Sequence, residues 1–113
     1  MRTVTIGVSS IDHAKARLAA AFRGEAQGEF ISFESVEALW SVMTPRRWEL
    51  IKAMAGKGPM SLRAAARLVG RDIKTTHGDA HELLTSGMLD RSNEGFEFPY
   101  DAVHVDFVVG KAA

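Results

Sequence analysis

The stretch that decides the fold is TPRRWELIKAMAGKGPMSLRAAARLVGRDIKTTHGDAHELLTSGMLDR, residues 44–91. Thr44 followed by Pro45 is typical of a helix start, because the threonine hydroxyl caps free N–H groups and proline favours the first helical position. Ser61 and Asp72 are capping residues of the same kind, and each precedes an amphipathic segment. The stretch therefore predicts three helices in close succession.

Glycines end the second and third of these helices. Gly70 and Gly87 each follow an apolar stripe, and glycine adopts the left-handed conformation of a helix C-terminus at low cost. Only Arg71 and Asp72 lie between the second helix and the third. We therefore expect a tight turn between them. The predicted buried residues of the third helix are Ile73, Thr76, Ala80, Leu83 and Leu84.

Residues 88–98 predict a β-hairpin. Ser92, Asn93, Glu94 and Gly95 are typical of a turn with glycine at a positive φ, and the segments on either side are typical of short strands. Three helices followed by a hairpin are the layout of a winged helix-turn-helix, in which the hairpin is the wing.

Farther from this stretch, both ends of the chain are predicted strands. Apolar residues occupy every second position over residues 3–9 and over residues 103–109, which indicates half-buried strands. Open strand edges invite pairing. These strands could pair with each other, complete the sheet of a monomer, or pair across a two-fold axis, and we favour a homodimer.

Three segments lie between the first strand and the helical stretch. Residues 11–23 are predicted to be helical, and residues 29–33 fit either a short strand or an extended linker. Ser35 is the predicted cap of a short helix that runs to about Met43. The predicted buried residues of this helix are Val36, Leu39 and Trp40.

Composition excludes several classes of protein. The 113 residues are 46% apolar and 25% charged, as is ordinary for a globular protein. Fourteen basic and fourteen acidic residues cancel, which excludes binding to nucleic acid by bulk charge. Without cysteine there are no disulfides, thiolate metal sites or cysteine nucleophiles. The longest apolar run, five residues, neither spans a membrane nor forms a signal peptide, so the expected location is cytoplasmic.

Residues 44–91 resemble a MarR-type winged-helix domain. With PYDAVHVDF at residues 99–107, the chain is similar to short prokaryotic proteins described as predicted transcriptional regulators or antitoxin-like winged-helix proteins. The resemblance covers about residues 29–109. It implies sequence-specific binding to double-stranded DNA, usually as a dimer, to repress a promoter. Some such proteins are thought to lie beside a toxin gene, which implies a possible toxin protein partner and an antitoxin that regulates its own operon.

The charge distribution favours DNA binding. Between Arg46 and Lys74 there are eight basic and two acidic residues, a net charge of +6, so the remainder of the chain carries −6. Charged residues are expected on any solvent-exposed helix face, but this excess of one sign is typical of a phosphate-contacting surface. Arg63 and Arg67 lie four positions apart on the second helix and project away from its apolar stripe.

The third helix is the predicted recognition helix, since such helices contact base edges with their N-terminal residues. Lys74 and Thr75 are best placed for this contact, and Arg71 could approach a phosphate from the turn. The outer face is also expected to hold Gly78, Asp79 and Glu82, with His81 at its flank. The glycine either permits a close approach to DNA or leaves a base unread, and the two carboxylates would repel phosphate.

Other sites are less well supported. Arg91 is the only basic residue of the hairpin. His77 and His81 have the spacing of metal ligands, but no third ligand is evident, and His77, which lies near the apolar stripe, is more typical of a packed histidine at the edge of the core. We therefore predict no metal, no cofactor and no enzymatic activity.

The sequence as a whole predicts an α+β protein. Residues 1–28 form an N-terminal strand–helix extension, and residues 29–109 form a winged helix-turn-helix domain with a C-terminal strand. The predicted function is a DNA-binding transcriptional regulator; the alternative is a winged-helix protein-interaction module that does not bind DNA. The predicted DNA-binding residues are Arg46, Ser61, Arg63, Arg67, Arg71, Lys74, Thr75, Gly78, His81 and Arg91.

Overall fold

Helices and strands are both present in the computed structural model, which describes residues 2–8, 15, 19, 23–24 and 29–107. The described helices are α1 (Val36–Val42), α2 (Pro45–Met54), α3 (Leu62–Val69) and α4 (Ile73–Ser86). The described strands are β1 (Thr3–Val8), β2 (Glu29–Phe33), β3 (Asp90–Ser92), β4 (Gly95–Glu97) and β5 (Ala102–Asp106). The protein is thus α+β. The helix predicted for residues 11–23 lies largely outside the described residues.

The helix caps are those predicted from the sequence. The Thr44 hydroxyl accepts a hydrogen bond from the backbone N–H of Arg47 at 3.3 Å, the Ser61 hydroxyl accepts one from Ala64 at 3.1 Å, and an Asp72 oxygen accepts one from Thr75 at 2.9 Å. Ser35 caps α1 in the same way. Gly70 and Gly87 follow α3 and α4 with φ of 69° and 90°, so the left-handed helix ends are also confirmed.

Three strands form a parallel sheet in the order β2-β1-β5. The question left open for residues 29–33 is therefore settled as a strand, and the two end strands pair with each other. In the register, Ile6 lies between Ile31 of β2 and Val105 of β5. The division of the chain at residue 28 stays a prediction, but β1 is the central strand of a sheet whose other strands come from residues 29–107.

The predicted hairpin is confirmed as β3 and β4, an antiparallel pair in which Arg91 lies opposite Phe96. Met60, just before α3, exchanges two backbone hydrogen bonds with Phe96, of 2.8 and 3.0 Å. The hairpin is therefore tied to the α2–α3 connection as well as to the end of α4.

One hydrophobic core joins the sheet, the helices and the hairpin. Ile6 of β1, Leu39 of α1 and Leu83 of α4 are fully buried in the same cluster as Phe96 of β4. Burying this many apolar side chains is the main favourable term in folding. None of the described helices has the length and apolar character needed to cross a membrane.

Two predicted core residues are wrong. Trp40 is 48% exposed and Ile73 is 41% exposed. The Trp40 ring packs edge-on against Phe107, with centroids 5.7 Å apart, and the rest of the side chain faces outward from α1. Ile73 is the first residue of α4, where the helix has just left the α3–α4 turn. In both cases an apolar stripe was extended one residue beyond the area that neighbouring elements cover.

Candidate nucleic-acid interface

The exposed face of α4 is the side of the helix opposite the residues that pack against the core. Thr76, Asp79, Ala80 and Leu83 are buried, and the helical period then directs a second set of residues outward. These exposed residues are Lys74, His77, Gly78, His81, Glu82 and Thr85. Thr75 is half-buried, and its backbone N–H is taken up by the Asp72 cap.

The sequence predicted Asp79 on the outer face of α4, but Asp79 does not lie there. It is 2% exposed and accepts hydrogen bonds from the Arg46 Nε and Nη2 atoms at 2.6 and 2.8 Å and from the Arg47 Nε at 3.1 Å. The physical reason is helical geometry, because position 79 lies three residues after Thr76 and four before Leu83, both of which face the core. Asp79 therefore holds two arginines instead of repelling phosphate.

This network connects three helices. Arg47 also donates hydrogen bonds to the carbonyl oxygens of Ser41 and Val42 at 3.2 and 2.9 Å, where α1 ends. Burial alone raises the pKa of Asp79, but the hydrogen bonds from Arg46 and Arg47 outweigh burial and lower the pKa below its ordinary 3.8. The Asp79 carboxylate is thus held ionised, and it fixes the start of α2 and the end of α1 against the middle of α4.

Arg71, in the turn before α4, is also paired. Its Nη2 donates to Oε2 of Glu49 on α2 at 2.8 Å, while its Nη1 is buried and has no hydrogen-bond partner among the described residues. The side chain remains 31% exposed. The pair joins α2 to the α3–α4 turn, and the unsatisfied Nη1 is a donor for which the described residues supply no acceptor.

Five other basic residues of the segment, Lys52 and Lys57 among them, are exposed and unpaired within the part of the chain that the structure describes. Arg63, Arg67 and Lys74 are exposed and make no ion pair there. An open groove of about 430 Å³ lies between α3 and the start of α4. Arg63 and Arg67 line it together with Arg71 and the capping residue Asp72. The structure thus brings three of the predicted arginines to one groove at the helix–turn–helix junction.

A second groove, of about 230 Å³, lies between α4 and the hairpin. His77 and His81 line it with Arg91 of β3, over a floor that includes Leu62 and Phe96. The two imidazole rings are stacked, with centroids 6.4 Å apart and planes 13° from parallel. His81 and Arg91 therefore lie at one groove. The described residues contain no group of three His, Cys, Asp or Glu that could hold a metal ion.

Gly78 stands in the middle of the exposed face of α4. A Cβ atom built at this position would meet no heavy atom within 4 Å. Neither packing nor a positive φ requires glycine here, although glycine in a helix interior costs about 1 kcal/mol relative to alanine. The space above Gly78 is therefore free for the close approach of another molecule.

Ser61 and Arg46, two further predicted DNA-binding residues, are bonded to other groups of the protein. The Ser61 hydroxyl is used as a helix cap. Arg46 is half-exposed, but its guanidinium is bonded to Asp79. Sequence reasoning missed Asp79 and Glu49 as partners of Arg46, Arg47 and Arg71. For Asp79 there was a signal in the sequence. Arg46 and Arg47 lie in the first turn of α2, and two arginines at a helix start can reach a carboxylate on a crossing helix.

One comparison with known proteins gives a match. The family model HVO_A0114 matches residues 42–105, a segment that contains α2, α3, α4, the hairpin and all but the last residue of β5. No curated protein matches the chain, and no solved structure does either. Because the matched segment is more than half of the 113 residues, the chain belongs to the HVO_A0114 family.

Proposed function

We propose that α2, α3, α4 and the β3–β4 hairpin form a winged helix-turn-helix that binds duplex DNA with sequence specificity. In this proposal the protein is a transcriptional regulator that represses a promoter. The observation that carries the proposal is the junction of α3 and α4, where Arg63 and Arg67 of α3 and Arg71 of the connecting turn line one groove beside the start of an exposed helix face. Duplex DNA requires this combination of a phosphate-binding surface and a helix free to enter the major groove.

Phosphate contact is assigned to the groove between α3 and α4. Arg63 and Arg67 are exposed and unpaired among the described residues, so no ion pair has to be broken before they bind phosphate. Arg71 lines the same groove and is 31% exposed, with its Nη2 bonded to Glu49. Arg46 is assigned a positioning role, because releasing it would leave the Asp79 carboxylate short of partners.

Base contact is assigned to the exposed face of α4. Lys74 lies in the first turn, where recognition helices contact base edges, and Gly78 lies one turn farther along with open space above it. A glycine there lets the helix backbone approach the floor of the major groove. His81 and Arg91, which share the second groove, lie where the recognition helix and the wing would flank the DNA backbone.

Regulation by a homodimer, in which two recognition helices contact two half-sites, is part of the proposal. The MarR-like resemblance of residues 44–91 supports this arrangement. It also supports a role as an antitoxin that regulates its own operon and binds a toxin protein.

Specificity can be tested by fluorescence anisotropy with labelled duplex DNA from the region upstream of the gene. The expected result is saturable binding that unlabelled upstream DNA displaces at a concentration at least about 100-fold lower than scrambled DNA. Lys74→Ala should weaken binding about tenfold or more. Lys52→Ala, which removes an exposed charge from α2, is the control and should change affinity less than about twofold. Equal displacement by both DNAs would contradict the proposal.

A second function, the protein-interaction module, is favoured by a different observation. Leu68 of α3 is 48% exposed and lines an open, mostly apolar surface with Met60, Ala64 and Arg67. Exposed apolar surface of this kind is common at protein interfaces. DNA binding that stays weak, does not saturate and changes little when Lys74 is removed would favour this second function.

A further inference from the structure

β5 is an edge strand of the described sheet. The order β2-β1-β5 leaves one side of β5 without a neighbouring strand among the described residues. Val105, the fourth of the five residues of β5, is 40% exposed. An edge strand presents unpaired N–H and C=O groups and can accept another strand.

Val103 and Val105 of β5 lie on the core face of the sheet. In the register, Val103 pairs with Val4 and Val105 pairs with Ile6, and both of these β1 residues are fully buried. Side chains alternate between faces, so Phe107 follows Val103 and Val105 on that face. Phe107 contacts Trp40, which is 48% exposed. Apolar side chains thus extend from the core to the open edge of the sheet at β5.

We propose that β5 pairs with β5 of a second copy of this chain, antiparallel and centred on Val105. The two parallel sheets then form one six-stranded sheet in the order β2-β1-β5-β5-β1-β2. This inference rests on the homodimer of the proposed function and identifies the surface through which the two chains pair. It is tested without DNA, so its failure and the failure of DNA binding are distinguishable.

The register follows from charge and size. With Val105 opposite its own copy, His104 of each chain lies opposite Asp106 of the other, and Val103 lies opposite Phe107. Directly opposed side chains interact most strongly in antiparallel pairs. An imidazole N–H donates to a carboxylate in either protonation state of histidine. Centring the pair on His104 instead would set the two histidines opposite each other and Asp106 opposite Ala102, with no charge match.

The other edge of the sheet lacks this complementarity. A pair of β2 strands centred on Ile31 would set Glu29 opposite Phe33, a carboxylate against an aromatic ring. Glu29 is also bonded in two places to Arg2, at 2.6 and 2.7 Å. We therefore assign the interface to β5 and not to β2.

The absence of cysteine from the chain permits a direct test by single-cysteine cross-linking. Opposed residues of an antiparallel pair have Cα atoms about 4.5–5.5 Å apart, within the range that a disulfide bridges. Val105→Cys should form a disulfide-linked dimer at micromolar protein when oxidised glutathione is added, which is itself reduced to two thiols. His104→Cys is the matched control, since residue 104 would lie diagonal to its copy, about 7–8 Å away, and should cross-link at least about tenfold more slowly.

The second test uses the dissociation constant of the dimer from sedimentation equilibrium. His104→Asp sets two pairs of carboxylates opposite each other and should weaken the dimer about tenfold or more. The double variant His104→Asp with Asp106→His restores both pairs in reversed order and should recover most of the affinity. A wild-type chain that stays monomeric at tens of micromolar, or a His104→Cys variant that cross-links as fast as Val105→Cys, would overturn the proposal.

Discussion

Asp79 shows how one residue changes the interpretation of a surface. A carboxylate on the outer face of α4 would have opposed DNA binding, but the structure buries it against Arg46 and Arg47. The net charge of the segment from residue 46 to 74 is unchanged by this, but the charge available to a ligand is smaller, since Arg46 and Arg47 are committed to Asp79 and Arg71 in part to Glu49. The accessible positive charge of the segment is carried by the exposed residues Lys52, Lys57, Arg63, Arg67 and Lys74. Of these, Arg63, Arg67 and Lys74 lie on α3 and α4.

Removing the Asp79 carboxylate should destabilise the protein. We expect Asp79→Ala to lower the free energy of unfolding by about 3 kcal/mol, the low end of the range for a buried ion pair that loses one partner. The low end applies because the Arg46 side chain is 46% exposed and can be hydrated, and because Arg47 keeps its hydrogen bonds to the carbonyl oxygens of Ser41 and Val42. Urea unfolding measures the change. Glu82→Ala, which removes an exposed carboxylate from the same helix, should stay within about 0.5 kcal/mol of the wild type.

The contribution of Asp79 should also depend on pH. Its pKa is lower in the folded protein than the ordinary 3.8, so the unfolded chain binds the proton more tightly and stability from this group is present above the unfolded pKa. That stability is lost as the pH falls through the folded pKa. The difference in unfolding free energy between the wild type and Asp79→Asn should therefore be constant above about pH 5 and shrink in more acidic solution. A difference that grows on acidification would contradict the sign.

Replacing Gly78 should change the stability of the protein and its affinity for DNA in opposite directions. Gly78→Ala should raise the free energy of unfolding by about 0.5–1 kcal/mol, because a Cβ there meets nothing within 4 Å. The same methyl group should lower DNA affinity about tenfold if the helix backbone approaches the duplex closely, as proposed. Thr85→Ala is the control, since it also raises helix propensity on the exposed face but lies two turns farther along. DNA affinity that is equal in the wild type and Gly78→Ala would remove the proposed role of the glycine.

At the scale of elements, β1 is the strand on which the sheet depends. Gly7 of β1 lies so close to β5 that a Cβ would overlap the carbonyl oxygen of Asp106 and touch the ring of Phe30. Gly7→Ala should therefore lower the free energy of unfolding by about 2 kcal/mol, in the range for overpacked sites. Thr5→Ala, two residues earlier on the same face, is the control and should cost less than half as much. Thermal unfolding of both variants tests the expectation.

The elements differ in how far the sequence predicts them. Local signals predicted α2, α3, α4 and the hairpin, because a cap hydroxyl or a glycine with positive φ is recognisable from one or two residues. The sheet was not predictable to the same degree. Parallel pairing of β1 with β2 and β5 joins residues up to 99 positions apart, and alternation alone does not tell a strand which partner it will have.

At the scale of the whole molecule, the candidate site was predicted in part. Charge counting found the basic segment, and the two-residue turn placed Arg63, Arg67 and Arg71 near one another. Neither of these signals revealed the two ion-pair networks that engage Arg46, Arg47 and Arg71. These networks depend on how α2 crosses α4 and the α3–α4 turn, which is a property of packing and is not visible in the helical period of any one segment.

The groove between α3 and α4 supports the central claim, that this surface binds DNA phosphates. The most direct measurement is the salt dependence of affinity for duplex DNA between about 50 and 200 mM salt, for the wild type and for Arg67→Ala. Each phosphate contact contributes about −0.9 to the slope of log K against log salt. The account predicts a steep wild-type slope that Arg67→Ala reduces by about 1, while Lys52→Ala leaves it unchanged. A shallow wild-type slope, or one that Arg67→Ala does not alter, would contradict it.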